Sequence, residues 1–263
     1  MSDAPVLLQV SERIATVTLN RPEARNALSS EVLRLLPEAM TAADRDPDVD
    51  VIILTGADPA FCAGLDLKEL GSTGAALGSG SGAGGGRNRH GARGPFPNVS
   101  KPLIGAINGV AVTGGLELAL NCDFLVASDR ARFGDTHARV GVMPGWGLTV
   151  LLPQAIGLRR AREMSFSGNF LTAEEAFHWG LVNRVVPHAD LLPVTRQLAA
   201  DIAGNDATGV RQIRATYAEI AHDDAAWEIE ARDAGAWRRA QFDPDTVAQR
   251  REAIIARGRG QGI

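Results

Sequence analysis

Cysteine is scarce in this 263-residue chain: only Cys62 and Cys122 are present, both in apolar surroundings. Two thiols cannot supply a disulfide framework for a chain this long, and they fit a reducing compartment. A long hydrophobic run is also missing, and the N-terminus lacks a charged-then-apolar signal pattern. The expectation is therefore a soluble, cytoplasmic protein with no membrane partner. Basic excess is absent too, since 27 Lys and Arg face 31 Asp and Glu for a net charge of −4. That balance disfavours a general nucleic-acid binder, which needs cations to neutralise phosphates. No G-x-G-x-x-G follows the first strand, which disfavours a dinucleotide-binding dehydrogenase. What remains is ordinary globular composition, 45% apolar and 22% charged, at a length suiting one large domain or a core with an appendage.

The most informative stretch runs from Ile107 to Asp123, INGVAVTGGLELALNCD. A short apolar run, Pro102 to Ile107, reads as a buried strand. Asn108-Gly109 is a turn dipeptide, and Thr113-Gly114-Gly115 opens an apolar helix carrying one carboxylate, Glu117. Glycines at a helix start let the backbone approach a ligand, and the first-turn N–H groups lack intrahelical partners. Such donors, at the positive end of the helix dipole, suit an oxygen gaining negative charge. Glu117 sits one turn in and faces the same end. The alternative is tight helix packing with a carboxylate placed to suit the dipole. A second strand, Val51 to Gly56, leads into Ala60-Phe61-Cys62-Ala63-Gly64-Leu65-Asp66-Leu67-Lys68, again strand, glycine turn and helix start.

In order, Val6–Val10 and Ile14–Leu19 read as an opening hairpin. Asn26 or Ser29 caps a helix reaching about Ala43, with Pro37 as a kink. Residues 71–94 are rich in Gly, Ser and Ala and are expected to form a mobile loop, able to act as a lid, with His90 solvated inside it. Phe124–Ala127 and Ala131–Phe133 read as strands, Trp146–Ala155 and Arg159–Ser167 as helices. Thr172 and Glu175 form a capping box, and Leu181–Val186 reads as a strand. From Asp190 the pattern is helical, with breaks near Gly204 and Asp243-Pro244. An α/β core, 1–189, followed by a helical region, 190–263, is the expected organisation.

The paired segments FCAGLDLK and NGVAVTGGLELA resemble the enoyl-CoA hydratase/isomerase (crotonase) family. The resemblance extends through NRPEARNALS at 20–29, KPLIGAING at 101–109, ARFG at 131–134, GVMPGWG at 141–147 and LTAEEAFHWGLVNRVV at 171–186. It implies a spiral of ββα repeats with a C-terminal helical trimerisation region, assembled as homotrimers or homohexamers. It also implies an oxyanion hole from the backbone N–H groups of Leu65 and Gly114, holding the oxygen of an acyl-CoA thioester. By the same resemblance the backbone at Leu65, Asp66 and Leu67 meets coenzyme A, with Lys68 near its phosphates. Arg25 falls in a motif that contacts coenzyme A in relatives, and Arg257 and Arg259 match a basic end that can reach the 3′-phosphate. No metal or separate cofactor is implied, coenzyme A being part of the substrate.

Hydratases of the family use two glutamates. Glu117 matches the one that activates water. The position of the other holds His137, in FGDTHARVG. An imidazole can replace the glutamate as proton donor, can serve a different chemistry such as thioester hydrolysis, decarboxylation or C–C cleavage, or can be a pocket residue leaving Glu117 alone. Asp135, two residues earlier, is a candidate to orient it, a contact that the spacing leaves open, and Arg139 is a candidate to alter local charge. Trp146 stands where small residues are common in relatives with long acyl pockets, and reads as pocket wall or as core. The leading expectation is hydration of a trans-2-enoyl-CoA by syn addition, with Glu117 and His137 as catalytic residues. The alternatives are another acyl-CoA enzyme on the same oxyanion hole, or an acyl-CoA binder without turnover.

Overall fold

In the computed structural model the described residues are 4–73, 94–221 and 223–261. The glycine-rich stretch expected to be mobile, with His90, falls almost wholly outside them. Its first residues do not fit that expectation, because Gly71 to Thr73 close a helix.

The chain opens with an antiparallel hairpin, β1 (Val6–Ser11) and β2 (Ile14–Leu19), as the alternating pattern predicts. Helix α1 (Ser30–Arg45) follows, with the Ser29 hydroxyl accepting the Val32 N–H as its cap. Strand β3 (Val51–Gly56) is buried along its whole length. A continuous Val/Ile/Leu run of this kind suits a parallel strand covered on both faces.

A unit then repeats. Strand β3 leads to short β4 (Ala60–Cys62) and helix α2 (Leu67–Thr73). Strand β5 (Leu103–Ile107) leads to β6 (Val110–Val112) and α3 (Gly114–Leu120). Strand β7 (Phe124–Ser128) leads to β8 (Arg132–Gly134) and α4 (His137–Val140). The longer strands pair in parallel, β3 with β5 and β5 with β7, inside a six-stranded sheet ordered β1-β2-β3-β5-β7-β10. The short ones pair in parallel, β4 with β6 and β6 with β8, inside a second, four-stranded sheet. Each turn of this ββα spiral thus places one helix start beside the next.

Helices α5 (Leu148–Ile156) and α6 (Leu158–Ser167) come next, then β9 (Phe170–Thr172), antiparallel to β8. The capping box is present: Thr172 and Glu175 satisfy each other's backbone at the start of α7 (Ala173–Trp179). Strand β10 covers Arg184–Val186 only; the expected strand from Leu181 begins late, after a turn at Gly180. Four helices close the chain: α8 (Leu191–Ala203), α9 (Ala207–Ala221), α10 (Asp224–Gln241) and α11 (Pro244–Gly260). Helix α8 buries Leu191 and Ala199 on the large sheet with Ile53, Ile104 and Val126. Helix α11 returns to pack on α2 beside the first glycine turn. No helix of the described residues is long and apolar enough to cross a membrane.

Candidate active site

The two glycine turns occupy equivalent places in successive turns of the spiral, and the paired strands β4 and β6 hold them together. Gly64 has φ +83°, a left-handed conformation that favours glycine. A Cβ there would lie 3.0 Å from both the Thr113 Cβ and the Val112 carbonyl oxygen, so the turns touch. A Cβ on Gly115 would lie 2.2 Å from the Cys62 carbonyl oxygen, so only glycine lets α3 start this close to β4. A strap from the N-terminal region orients the first turn. Leu28 donates its N–H to the Gly64 carbonyl at 2.8 Å, and Asp66 donates its N–H to the Leu28 carbonyl at 3.1 Å. Among the described residues, neither the Leu65 nor the Gly114 N–H donates to a loop or turn carbonyl. Thr113, just before Gly114, carries φ +54°, rare for a β-branched residue, and its hydroxyl is bonded to that of Thr136.

Leu65, Gly114, Glu117, His137 and Trp146 line one small cavity of about 40 Å³. Glu117 is 2% exposed, and both oxygens of its carboxylate have partners. Oε1 accepts the N–H groups of Gly145 at 3.1 Å and Trp146 at 2.8 Å. Oε2 lies 3.4 Å from His137 Nε2. On the other side of the ring, Nδ1 is 2.7 Å from Asp135 Oδ1, so the Asp135 that sequence spacing left open does orient the imidazole. Burial works against a charge on His137, but the Asp135 and Glu117 carboxylates outweigh it and hold the imidazole up at about 10. Asp135 stays below the usual carboxylate range. Its burial is overcome by His137 and by a bond from Ser165. At neutral pH the site therefore holds an imidazolium between two carboxylates, with a proton on Nε2 facing Glu117.

Above the cavity runs a larger cleft of about 530 Å³. Arg25, Leu65, Asp66, Leu67, Lys68 and Arg259 all line it, as does Gly258 beside them. Asp66 is nearly buried, with Oδ2 accepting from Arg21 at 3.1 Å and Oδ1 from the Lys68 N–H at 3.0 Å; its carboxylate shapes the turn while its backbone lines the cleft. Arg257 is not brought into the cleft lining. Its guanidinium donates to the Ser167 carbonyl at 3.1 Å, which ties α11 to the end of α6.

Sequence reasoning missed Arg21 and Arg251 on the cleft, which Arg139 also lines, and Glu230, Trp237, Arg238 and Phe242 near the cavity. Arg21 stands in the quoted NRPEARN motif, so a signal existed. The α10 residues had only helical spacing to mark them. Glu230 is 6% exposed and accepts the Gly147 N–H at 2.6 Å and the Thr149 N–H at 2.7 Å. Burial, together with the negative charge of Glu117, pushes its carboxyl above the usual range against these bonds. Cys62 is buried beneath the glycine turns, and burial pushes its thiol up to about 12; Cys122 is half-buried.

The enoyl-CoA hydratase/isomerase family pattern matches residues 9–241. The chain belongs to the enoyl-CoA hydratase/isomerase family. It is 38% identical over 214 residues to a probable enoyl-CoA hydratase of Mycobacterium tuberculosis, covering 81% of each chain. It is 35% identical over 234 residues to the crotonyl-CoA hydratase of Syntrophomonas wolfei, covering 86% of each. Among solved structures, an enoyl-CoA hydratase from Mycobacterium tuberculosis superposes with a TM-score of 0.80 at 47% identity, covering 90% of this chain and 100% of that one. The match to the family extends over most of the spiral and into α10, so both glycine turns and the Glu117–His137 pair lie inside it.

The charged His137 has a consequence for stability. The native imidazole holds its proton to about pH 10, whereas the unfolded one releases it near pH ~6.5. This stabilisation is complete below pH ~6.5 and is lost as pH rises toward the folded value. Denaturant unfolding at pH 6, 7.5 and 9 is expected to show falling stability. His137→Gln is expected to flatten that fall; an unchanged slope in the variant would refute the assignment.

Proposed function

We propose that this protein is an enoyl-CoA hydratase, adding water across the 2,3 double bond of a 2-enoyl-CoA in fatty-acid or related acyl-CoA metabolism. The family membership and the names of its relatives support the reaction class. The single observation that carries the mechanism is the common cavity of Leu65, Gly114, Glu117 and His137.

The coenzyme A portion lies along the cleft, where Arg25, Lys68 and Arg259 supply cations for its phosphates. The thioester oxygen accepts from the Leu65 and Gly114 N–H groups. Glu117 takes a proton from water as the hydroxyl bonds to C3, and the π electrons move toward the thioester oxygen as an enolate. The two amides stabilise that charge; losing one such donor typically costs about 10²–10³ in rate, or roughly 3 kcal/mol. The enolate carbon C2 then takes the Nε2 proton of His137, which Asp135 holds in place from Nδ1. Proton return from Glu117 to His137 across 3.4 Å restores the site. Water is consumed and one 3-hydroxyacyl-CoA forms. The reading needs no metal and no redox cofactor.

Trp146 is 5% exposed and closes the cavity beside Gly114, where a Cβ would lie 3.1 Å from its ring. That supports a pocket wall that favours a short acyl chain. Self-association as a trimer or hexamer is supported by α9, which buries none of its residues in a single chain. Its Ile213, Tyr217 and Ile220 are 60%, 71% and 77% exposed along one helical stripe. Two free thiols, Cys62 buried and Cys122 half-buried, support a cytoplasmic location.

Hydration of crotonyl-CoA, followed as loss of the enoyl thioester absorbance, tests the reading. Wild type is expected to turn over, and Glu117→Gln and His137→Ala are each expected to fall by about 10² or more. Release of free coenzyme A without hydration would instead point to thioester cleavage. In sedimentation velocity the protein is expected at three or six chain masses, with Tyr217→Glu shifting it toward one; a wild-type monomer would refute the assembly.

A further inference from the structure

Glu230 is a buried carboxylate that the proposed mechanism leaves unused. Its Oε1 accepts from Gly147 N at 2.6 Å, and its Oε2 accepts from Thr149 N at 2.7 Å and from the Thr149 hydroxyl. These donors belong to the start of α5, whose own N-cap residue, Gly147, offers no side chain. A carboxylate from α10 thus fills the cap position of another helix, where the dipole favours an anion. Immediately upstream, the same loop gives Gly145 N–H and Trp146 N–H to Glu117. The five residues Gly145–Thr149 are therefore held between two carboxylates, one from α3 and one from α10. Shape reinforces charge. Gly147 has φ +96°, and a Cβ there would lie 2.1 Å from the Trp227 ring of α10. The same face of α10 continues through Ala234, Trp237 and Arg238, which line the cavity of Glu117 and His137.

We infer that Glu230 is a positioning residue for Glu117, fixing the Gly145 and Trp146 N–H groups on the catalytic carboxylate from the far side of their loop. The inference rests on the reading of Glu117 as the base. Glu117, with Asn121 donating its Nδ2 to the Trp146 carbonyl at 2.9 Å, holds the loop only upstream of Gly147, whose φ of +96° leaves the direction of the following segment to other bonds. Bonds on either side of that glycine fix its direction. The C-terminal helical region then becomes part of the active site rather than an assembly element only.

Steady-state hydration of crotonyl-CoA and hydrogen exchange of the peptide spanning 143–149 test this in wild type, Glu230→Ala, Thr149→Val, Glu117→Gln and the Glu117→Gln/Glu230→Ala double variant. Glu230→Ala is expected to lower kcat by about 30-fold with KM within about 3-fold, and Thr149→Val by roughly 3-fold. In the Glu117→Gln background the Glu230→Ala loss should shrink to about 3-fold or less, because the group being positioned has lost its function. Exchange in the loop should rise at least about tenfold in Glu230→Ala. Equal loss in both backgrounds, a rise in KM alone, or unchanged loop exchange would overturn the proposal. Should Glu230→Ala not fold, Thr149→Val and its double variant with Glu117→Gln carry the same coupling test. If wild type fails to hydrate any enoyl-CoA, the hydratase reading falls, and loop exchange alone decides whether Glu230 holds the Glu117 donors.

Discussion

A carboxylate that is almost wholly withdrawn from water has to be satisfied by the protein, and Glu117 is the group around which this requirement organises the structure. The penalty for burying an ion is several kcal/mol even after relaxation, and only good geometry offsets it. Here one oxygen is met by two loop amides and the other by an imidazole that a second carboxylate keeps charged. Each partner demands its own support. The amides need a loop of fixed shape, and Glu230 with Trp227 supply it from α10. The imidazole needs Asp135, whose position follows from the end of β8. The site is thus a chain of satisfied charges reaching from the middle of the sequence to its C-terminal helices.

The spiral contributes something different, which is repetition. Two successive ββα turns end in a glycine-permitted close approach, and the two helix starts come to lie side by side because their short strands pair in parallel, with a register shift between Ala60 and Cys62. Backbone N–H groups placed this way act on charge wherever it develops on a bound oxygen, and they do not depend on the side chain at Leu65. Chemistry is then set by what faces them. In this chain Glu117 and His137 face them across one small cavity, and Asp135 holds the imidazole from its far side.

Much of this was legible in the sequence because its signals are local. The Gly64 and Gly114 turns announce themselves by glycine before a helix start, and the Thr172 box by its spacing. The short strands β4, β6 and β9 have no clear signal, because each is three residues beside a turn or a helix start that dominates the local pattern. The apolar run predicts that β10 starts at Leu181, but Leu181 and Val182 are buried in a turn that follows Gly180 and the strand starts at Arg184. The contact of Asp135 with His137 is separated by only two residues, yet it depends on backbone direction at α4 that no pattern encodes. Glu230 was invisible for a stronger reason. On a helix rich in charged residues, one glutamate facing inward looks like its neighbours until the fold shows which face is covered. Arg257 shows the converse: its basic C-terminal setting suggests a phosphate, and within the single chain its guanidinium donates to a carbonyl at the end of α6.

Protonation of C2 by this route requires His137 to be held charged at the pH of turnover. The measurement that tests it is the pH dependence of kcat/KM for hydration of crotonyl-CoA. A proton donor held at about 10 predicts activity sustained from pH 7 to 9, with an alkaline limb near pH 10. A loss of activity centred near pH 6.5, the ordinary range of a free imidazole, would contradict it.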